Sequence, residues 1–152
     1  ISTQQEVLGN LFVILNHLEV LREDWKIYVK ETKHILRESE ISAEQRNEFQ
    51  RVFTENTMEQ LMVYFVFTYF CGAVYDEQAY GKLKFAVAGS ILIRELAKGM
   101  FLKNGTLEFS DITEAARRYA REVEHSDFNK CKMEQMLQEE EKFGLEKLFV
   151  IL

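Results

Sequence analysis

The chain has 152 residues, a formal net charge of −6, 47% hydrophobic and 29% charged residues, no proline and seven glycines. That hydrophobic share excludes intrinsic disorder, the lack of turn-forming residues argues against a β-sandwich or barrel, and the acidic balance without a basic run excludes a nucleic-acid footprint. The length is that of a single all-helical domain, residues 1–152, able to bury a core without staples, and 21 Glu against four Asp reinforce the helical reading.

Apolar spacing predicts about six helices. The first runs over about 3–21, with Val7, Leu8, Leu11, Phe12, Leu15, Leu18 and Leu21 on one face. The second runs from Asp24 to about Arg37, its apolar side made by Trp25, Tyr28, Val29, Thr32, Ile35 and Leu36. Ser42 and Gln45 have capping-box spacing and open the third, which breaks near Asn56-Thr57 before an apolar run to Phe70. Asp76 is expected to open the fourth and Asn104-Gly105 to close it. Ser110 and Asp111 open the fifth, to about His125, and Ser126 and Asp127 open the sixth, to about Lys142. Segments 58–71 and 79–102 are apolar nearly all round, which predicts two central helices. Gly81, Gly89 and Gly99 within the second of these predict close helix–helix approach.

The longest uncharged stretch, Gln60–Tyr75, is 16 residues long, short of the ~20 of a membrane span. It reads as a core helix, so no membrane is expected. Cys71 and Cys131 form no disulfide framework or zinc pattern and fit a reducing cytosol, hence a cytoplasmic location. The start does not resemble a signal peptide, and without an initiator Met the chain reads as processed or as a piece of a longer protein.

Two units, Glu31-x-x-His34 and Glu122-x-x-His125, match the Glu-x-x-His element of di-iron bundles. Helical phase points both away from their apolar stripes, so they are not expected to converge and no metal is assigned. In the fifth helix that stripe is Ile112, Ala115, Ala116, Tyr119, Ala120 and Val123, with Glu114–Arg118 and Arg118–Glu122 as surface pairs. Arg94 shares a buried face with Leu83, Val87, Ser90, Ala97 and Phe101. It must therefore be paired, with a core-edge carboxylate such as Glu59 or with a ligand carboxylate. No Ser-His-Asp triad, Cys-His pair, P-loop or glycine-rich dinucleotide turn can be assembled.

Several stretches carry a resemblance. They are Glu59-Gln60-Leu61-Met62-Val63-Tyr64-Phe65, Tyr69-Phe70, Ala73-Val74-Tyr75-Asp76, Gly81 to Val87, Ile91 to Leu96, and Tyr119-Ala120-Arg121-Glu122-Val123-Glu124-His125-Ser126-Asp127-Phe128-Asn129. Together, over residues 25–137, they resemble the C-terminal region of bacterial flagellin lysine N-methylases, with Gln60 and Ala120 departing from the pattern. The resemblance implies methyl transfer from S-adenosylmethionine to lysine side chains of a protein such as flagellin. It also implies an N-terminal cysteine-rich part that this chain lacks, so the chain alone is expected to be inactive.

Residue chemistry and resemblance together nominate Arg94, Tyr75, Asp76, Arg121, Glu122, Glu124, His125, Ser126, Asp127 and Asn129 for the substrate or cofactor side. The junction from Arg121 to Asn129 is expected to face the missing part. Ser126 or Asp127 should cap the following helix there, and His125 should point away from the local core. The alternatives are a non-catalytic helical protein-interaction domain and a di-metal carboxylate bundle.

Overall fold

A computed structural model describes the backbone of residues 3–76 and 79–152 and the side chains of 3–69 and 79–152. Every regular element among these residues is helical, as the composition requires. Helix α1 (Thr3–His17) stops short of the expected Leu21, and α2 (Glu23–Glu38) follows. In α3 (Ala43–Val52) the capping box is present: Gln45 N donates to Ser42 Oγ at 3.1 Å and Ser42 N to Gln45 Oε1 at 3.0 Å. Two first-turn donors are thereby satisfied.

The break after α3 falls at Phe53-Thr54 rather than Asn56-Thr57. Thr57 N donates to Thr54 Oγ1 at 3.1 Å, so Thr54 caps α4 (Glu55–Asp76). Asp76, expected to open the next helix, is the last described residue of α4; residues 77 and 78, where that helix would begin, and the side chains of Asp76, Tyr75 and Cys71 lie outside the described residues. Helix α5 (Ala79–Asn104) stops at Gly105, whose φ of 78° is readily adopted only by glycine. Glu108 and Asp111, rather than Ser110, form the capping box of α6 (Phe109–Tyr119). That helix runs into a π-helical turn, Ala120–Glu124, before α7 (Asp127–Leu137), α8 (Glu140–Phe143) and α9 (Leu145–Ile151).

The core is organised on α5. Every residue from Lys84 to Ile93 is buried, and α2, α4, α6, α7 and α9 pack around it. Two of its three glycines mark close approach. A Cβ on Gly89 would lie 2.8 Å from Phe65 Cζ, and one on Gly99 2.8 Å from Thr32 Cγ2, whereas Gly81 faces open space. The expectation of a second central helix needs correction. Helix α4 buries Phe65 against α5 but leaves Val63, Tyr64 and Phe67 exposed, Phe67 by 74%. Apolar composition all round permits burial on every side; it does not supply neighbours on every side.

Two buried ties hold the C-terminal helices to α5. Lys84 Nζ donates to Leu137 O at 2.9 Å, pairs with Glu140, and lies 4.7 Å from the Tyr80 ring centre. Arg94 is paired, as its helical face requires, with 16% of its side chain exposed. Its carboxylate partner is the adjacent Glu95 at 3.2 Å, not Glu59, and its other guanidinium groups donate to the carbonyls of Ile151 and Leu152. Among the described residues no helix is long and apolar enough to cross a membrane.

Candidate functional site: an acidic and aromatic π-helical corner

The corner between α6 and α7 begins where the stripe of Ile112, Ala115 and Tyr119 reaches the core. There the backbone widens: His125 N donates to Ala120 O at 2.9 Å, the i to i+5 bond of a π-turn. The widened turn places three consecutive side chains, Glu122, Val123 and Glu124, inside. Straight α-helical phase placed Glu122 on the surface, paired with Arg118. Instead Glu122 is 1% exposed, while the other expected pair forms, Arg118 with Glu114 at 2.9 Å.

The two buried carboxylates have different partners. Glu122 belongs to a latch: Leu21 N donates to its Oε2 at 3.0 Å. Asn129 completes the latch, its Nδ2 donating to Glu122 O at 2.7 Å and Glu19 O at 2.9 Å while its Oδ1 accepts from Glu19 N at 2.8 Å. The link between α1 and α2 is thereby held against the corner. Glu122 Oε1 and Arg121 Nε are buried with no hydrogen-bond partner among the described residues, and Arg121 Nη2 lies 3.9 Å from Asp24.

Glu124 faces α4. Its Oε1 accepts the Tyr69 hydroxyl at 2.6 Å and the Tyr64 hydroxyl at 2.9 Å. Behind these rings lies an aromatic wall in which Phe65 contacts Tyr64, Tyr69, Phe85 and Tyr119. Burial first, then the hydrogen bond to Glu124, raises the pKa of both tyrosines above the ordinary tyrosine value. Burial also pushes Tyr119 well up. The hydroxyls therefore stay protonated and donate, and no tyrosinate is available as a base near neutral pH. Tyr64 is 47% exposed, so the cluster reaches the surface. Lys130 already places an ammonium 5.5 Å from the Tyr69 ring centre, held by Asp127 at 3.4 Å.

The nominated residues divide accordingly. Ser126 caps α7, accepting from Asn129 N at 3.1 Å. His125 and Asp127 are exposed on the outer side of the corner. Glu122 and Asn129 brace it from inside, and Glu124 alone of the nominated carboxylates meets the tyrosines. Arg94 belongs to a different region, at the α9 tie, and Tyr75 and Asp76 lie outside the described side chains. Tyr64 and Tyr69 were not nominated; their five-residue spacing on an all-apolar helix looks like core. The Glu-x-x-His units are apart in role: Glu31 pairs with Lys103 at 2.7 Å, His34 is exposed, and Glu122 serves the latch. Among the described residues no group of three or more His, Cys, Asp or Glu is arranged to hold a metal.

The sequence model of the FliB lysine N-methylase C-terminal domain matches residues 1–151. The chain belongs to this family. The match extends the resemblance from residues 25–137 to nearly the whole chain, and the motif that carried the resemblance is the π-helical corner itself. Comparisons with curated proteins and with solved structures returned no significant match.

Proposed function

We propose that this domain serves S-adenosylmethionine-dependent methylation of protein lysines, with flagellin as the kind of substrate, and that Glu124, Tyr64 and Tyr69 receive the target side chain. One observation carries the reading: a buried carboxylate dressed by two tyrosyl hydroxyls at an aromatic wall that opens to the surface. Such a group suits an alkylammonium, because the carboxylate supplies charge and the ring faces supply cation–π attraction. Lys130 over the Tyr69 ring is an example of that chemistry within the chain.

In this role the tyrosines fix one carboxylate oxygen through their hydroxyls. Among the described residues none donates to Glu124 Oε2, which is left to face the incoming ammonium. S-adenosylmethionine, when bound, supplies the methyl group. The described residues contain no strand or glycine-rich strand-to-helix turn of the kind that cradles such a nucleoside. The donor is then held by the cysteine-rich part that the family resemblance implies.

The test is made in the full-length enzyme. Glu124→Gln and Tyr69→Phe should lower kcat/KM for the protein substrate by about tenfold to a hundredfold, the scale of charge-assisted hydrogen bonds. His125→Ala and Asp127→Asn at the exposed rim should lower methyl transfer more than they lower stability if the corner faces the rest of the enzyme. Unchanged methylation by a folded Glu124→Gln enzyme would remove the lysine-site assignment. A second reading, a non-catalytic interaction domain, is favoured by the exposed Val63, Tyr64 and Phe67. It predicts that Phe67→Ser weakens a protein contact while Glu124→Gln does nothing.

A further inference from the structure

Lys130 borders the Glu124 cluster from the first turn of α7. A cation is disfavoured there, because the N-terminal end of a helix is the positive end of its dipole. Its side chain is nonetheless mostly covered, with Nζ 5.5 Å from the centre of the Tyr69 ring. Its one carboxylate partner among the described residues is Asp127, at 3.4 Å. The Asp127 side chain is 99% exposed, so water competes for it and the pair is weak. Among the described residues Lys130 forms no ion pair with Glu124. The Tyr69 ring also packs against Phe65, with centres 6.2 Å and planes 28° apart, and edge-on against Phe85 at 5.3 Å. Two hydrocarbon rings and one ammonium thus share the Tyr69 ring, and Lys130 holds the approach that an incoming cation needs.

We propose that Lys130 is a specificity-determining residue, a built-in competitor that occupies the Tyr69 ring until a substrate lysine displaces it. This rests on the assignment of Glu124, Tyr64 and Tyr69 as the lysine site. Because Lys130 is tethered beside the ring, its ammonium acts at a high effective concentration, and a dilute free amine does not displace it. A lysine carried on a docked protein segment has the same advantage. It also gains the Glu124 charge, which Lys130 does not use. Lys130 loses little on leaving, since Asp127 remains three residues away on its own helix. The site therefore selects lysines presented by a protein over free alkylamines of the same head group.

The test uses the 152-residue chain and n-butylammonium, titrated while NMR follows the Tyr64 and Tyr69 ring signals and the Lys130 methylenes. Lys130→Gln should bind the probe about tenfold more tightly than the parent chain. Lys130→Arg restores a cation and should return the affinity to the parent value. Lys132→Gln removes the same charge two residues away and should change the affinity by less than about twofold. In the parent chain the Lys130 methylene signals should move toward free-lysine positions as the probe binds. Glu124→Gln added to Lys130→Gln should abolish the gain. Equal affinity in the parent and Lys130→Gln chains, weakened in both by Glu124→Gln, overturns the competitor and leaves the lysine site standing. A gain in Lys130→Gln that ignores Glu124→Gln keeps the competitor at the Tyr69 ring and removes Glu124 from the site. No shift of the Tyr69 ring in either chain overturns both.

Discussion

Glu114 on α6 accepts from Arg117 at 2.7 Å and Arg118 at 2.9 Å, and these hydrogen bonds hold its carboxyl at about 2 against the ordinary 4.5. A carboxyl depressed in the folded state contributes stability above its unfolded value, and that contribution is lost as pH falls through the folded one. All three side chains are about a third or more exposed, so solvent screening keeps the contribution below ~1 kcal/mol. Glu114→Gln should therefore cost less than ~1 kcal/mol at neutral pH. The gap in urea midpoints between variant and parent should close as pH falls from about 5 to about 2. Arg94 makes the contrasting case of a charge that is mostly buried. Arg94→Ala should cost about 2–4 kcal/mol, because it removes donors from the α9 carbonyls and leaves a void. Arg94→Leu should cost less, since it fills the volume; denaturant titration of both decides, and an Ala variant more stable than Leu would show that volume is not what Arg94 supplies. The burial of Arg94 was legible in its helical phase. Its partner was not, because the carbonyls come from residues 57 and 58 positions away.

At the scale of the element, α5 shows what glycine does in a helix. Gly89→Ala should destabilise by about 1–3 kcal/mol, since the new methyl meets the buried Phe65 ring at 2.8 Å. Gly81→Ala meets nothing within 4 Å and should be neutral or stabilising by about 0.5 kcal/mol through helix propensity. Thermal melts of the two variants should move in opposite directions. The π-turn makes a second case. Asn129→Ala should cost about 1–3 kcal/mol, since it removes the partner of the buried Glu122 carbonyl and of the Glu19 amide and carbonyl. It should also accelerate hydrogen exchange at the Glu19 amide more than at amides of α5. Uniform acceleration across the chain would mean that the latch has no local role. Sequence caps anticipated the start of α3 and of α7, where a side chain bonds its own neighbours. They misplaced the starts of α4 and α6, where Thr54 and Glu108 compete equally well at nearby positions.

For the whole molecule, the central question is which helices surround which. Composition, periodicity and caps determined that the chain is all-helical, that α5 is central, though as one of an expected pair, and that α6 and α7 meet at a capped corner. These are short-range properties: a cap acts over three residues and an amphipathic stripe over one turn. Family membership was also legible there, because the corner carries the wording that identifies it. Only the tertiary structure decided that about half of the described side chains of α4, residues 55–69, are exposed, since an apolar helix is buried only as far as neighbours cover it. It alone introduced the π-turn, an irregularity in hydrogen bonding that simple periodicity does not contain. And it alone brought Glu124 to Tyr64 and Tyr69, which precede it by 60 and 55 residues. A contact at that separation depends on how α4 and the corner both pack on α5, and local spacing carries no term for that.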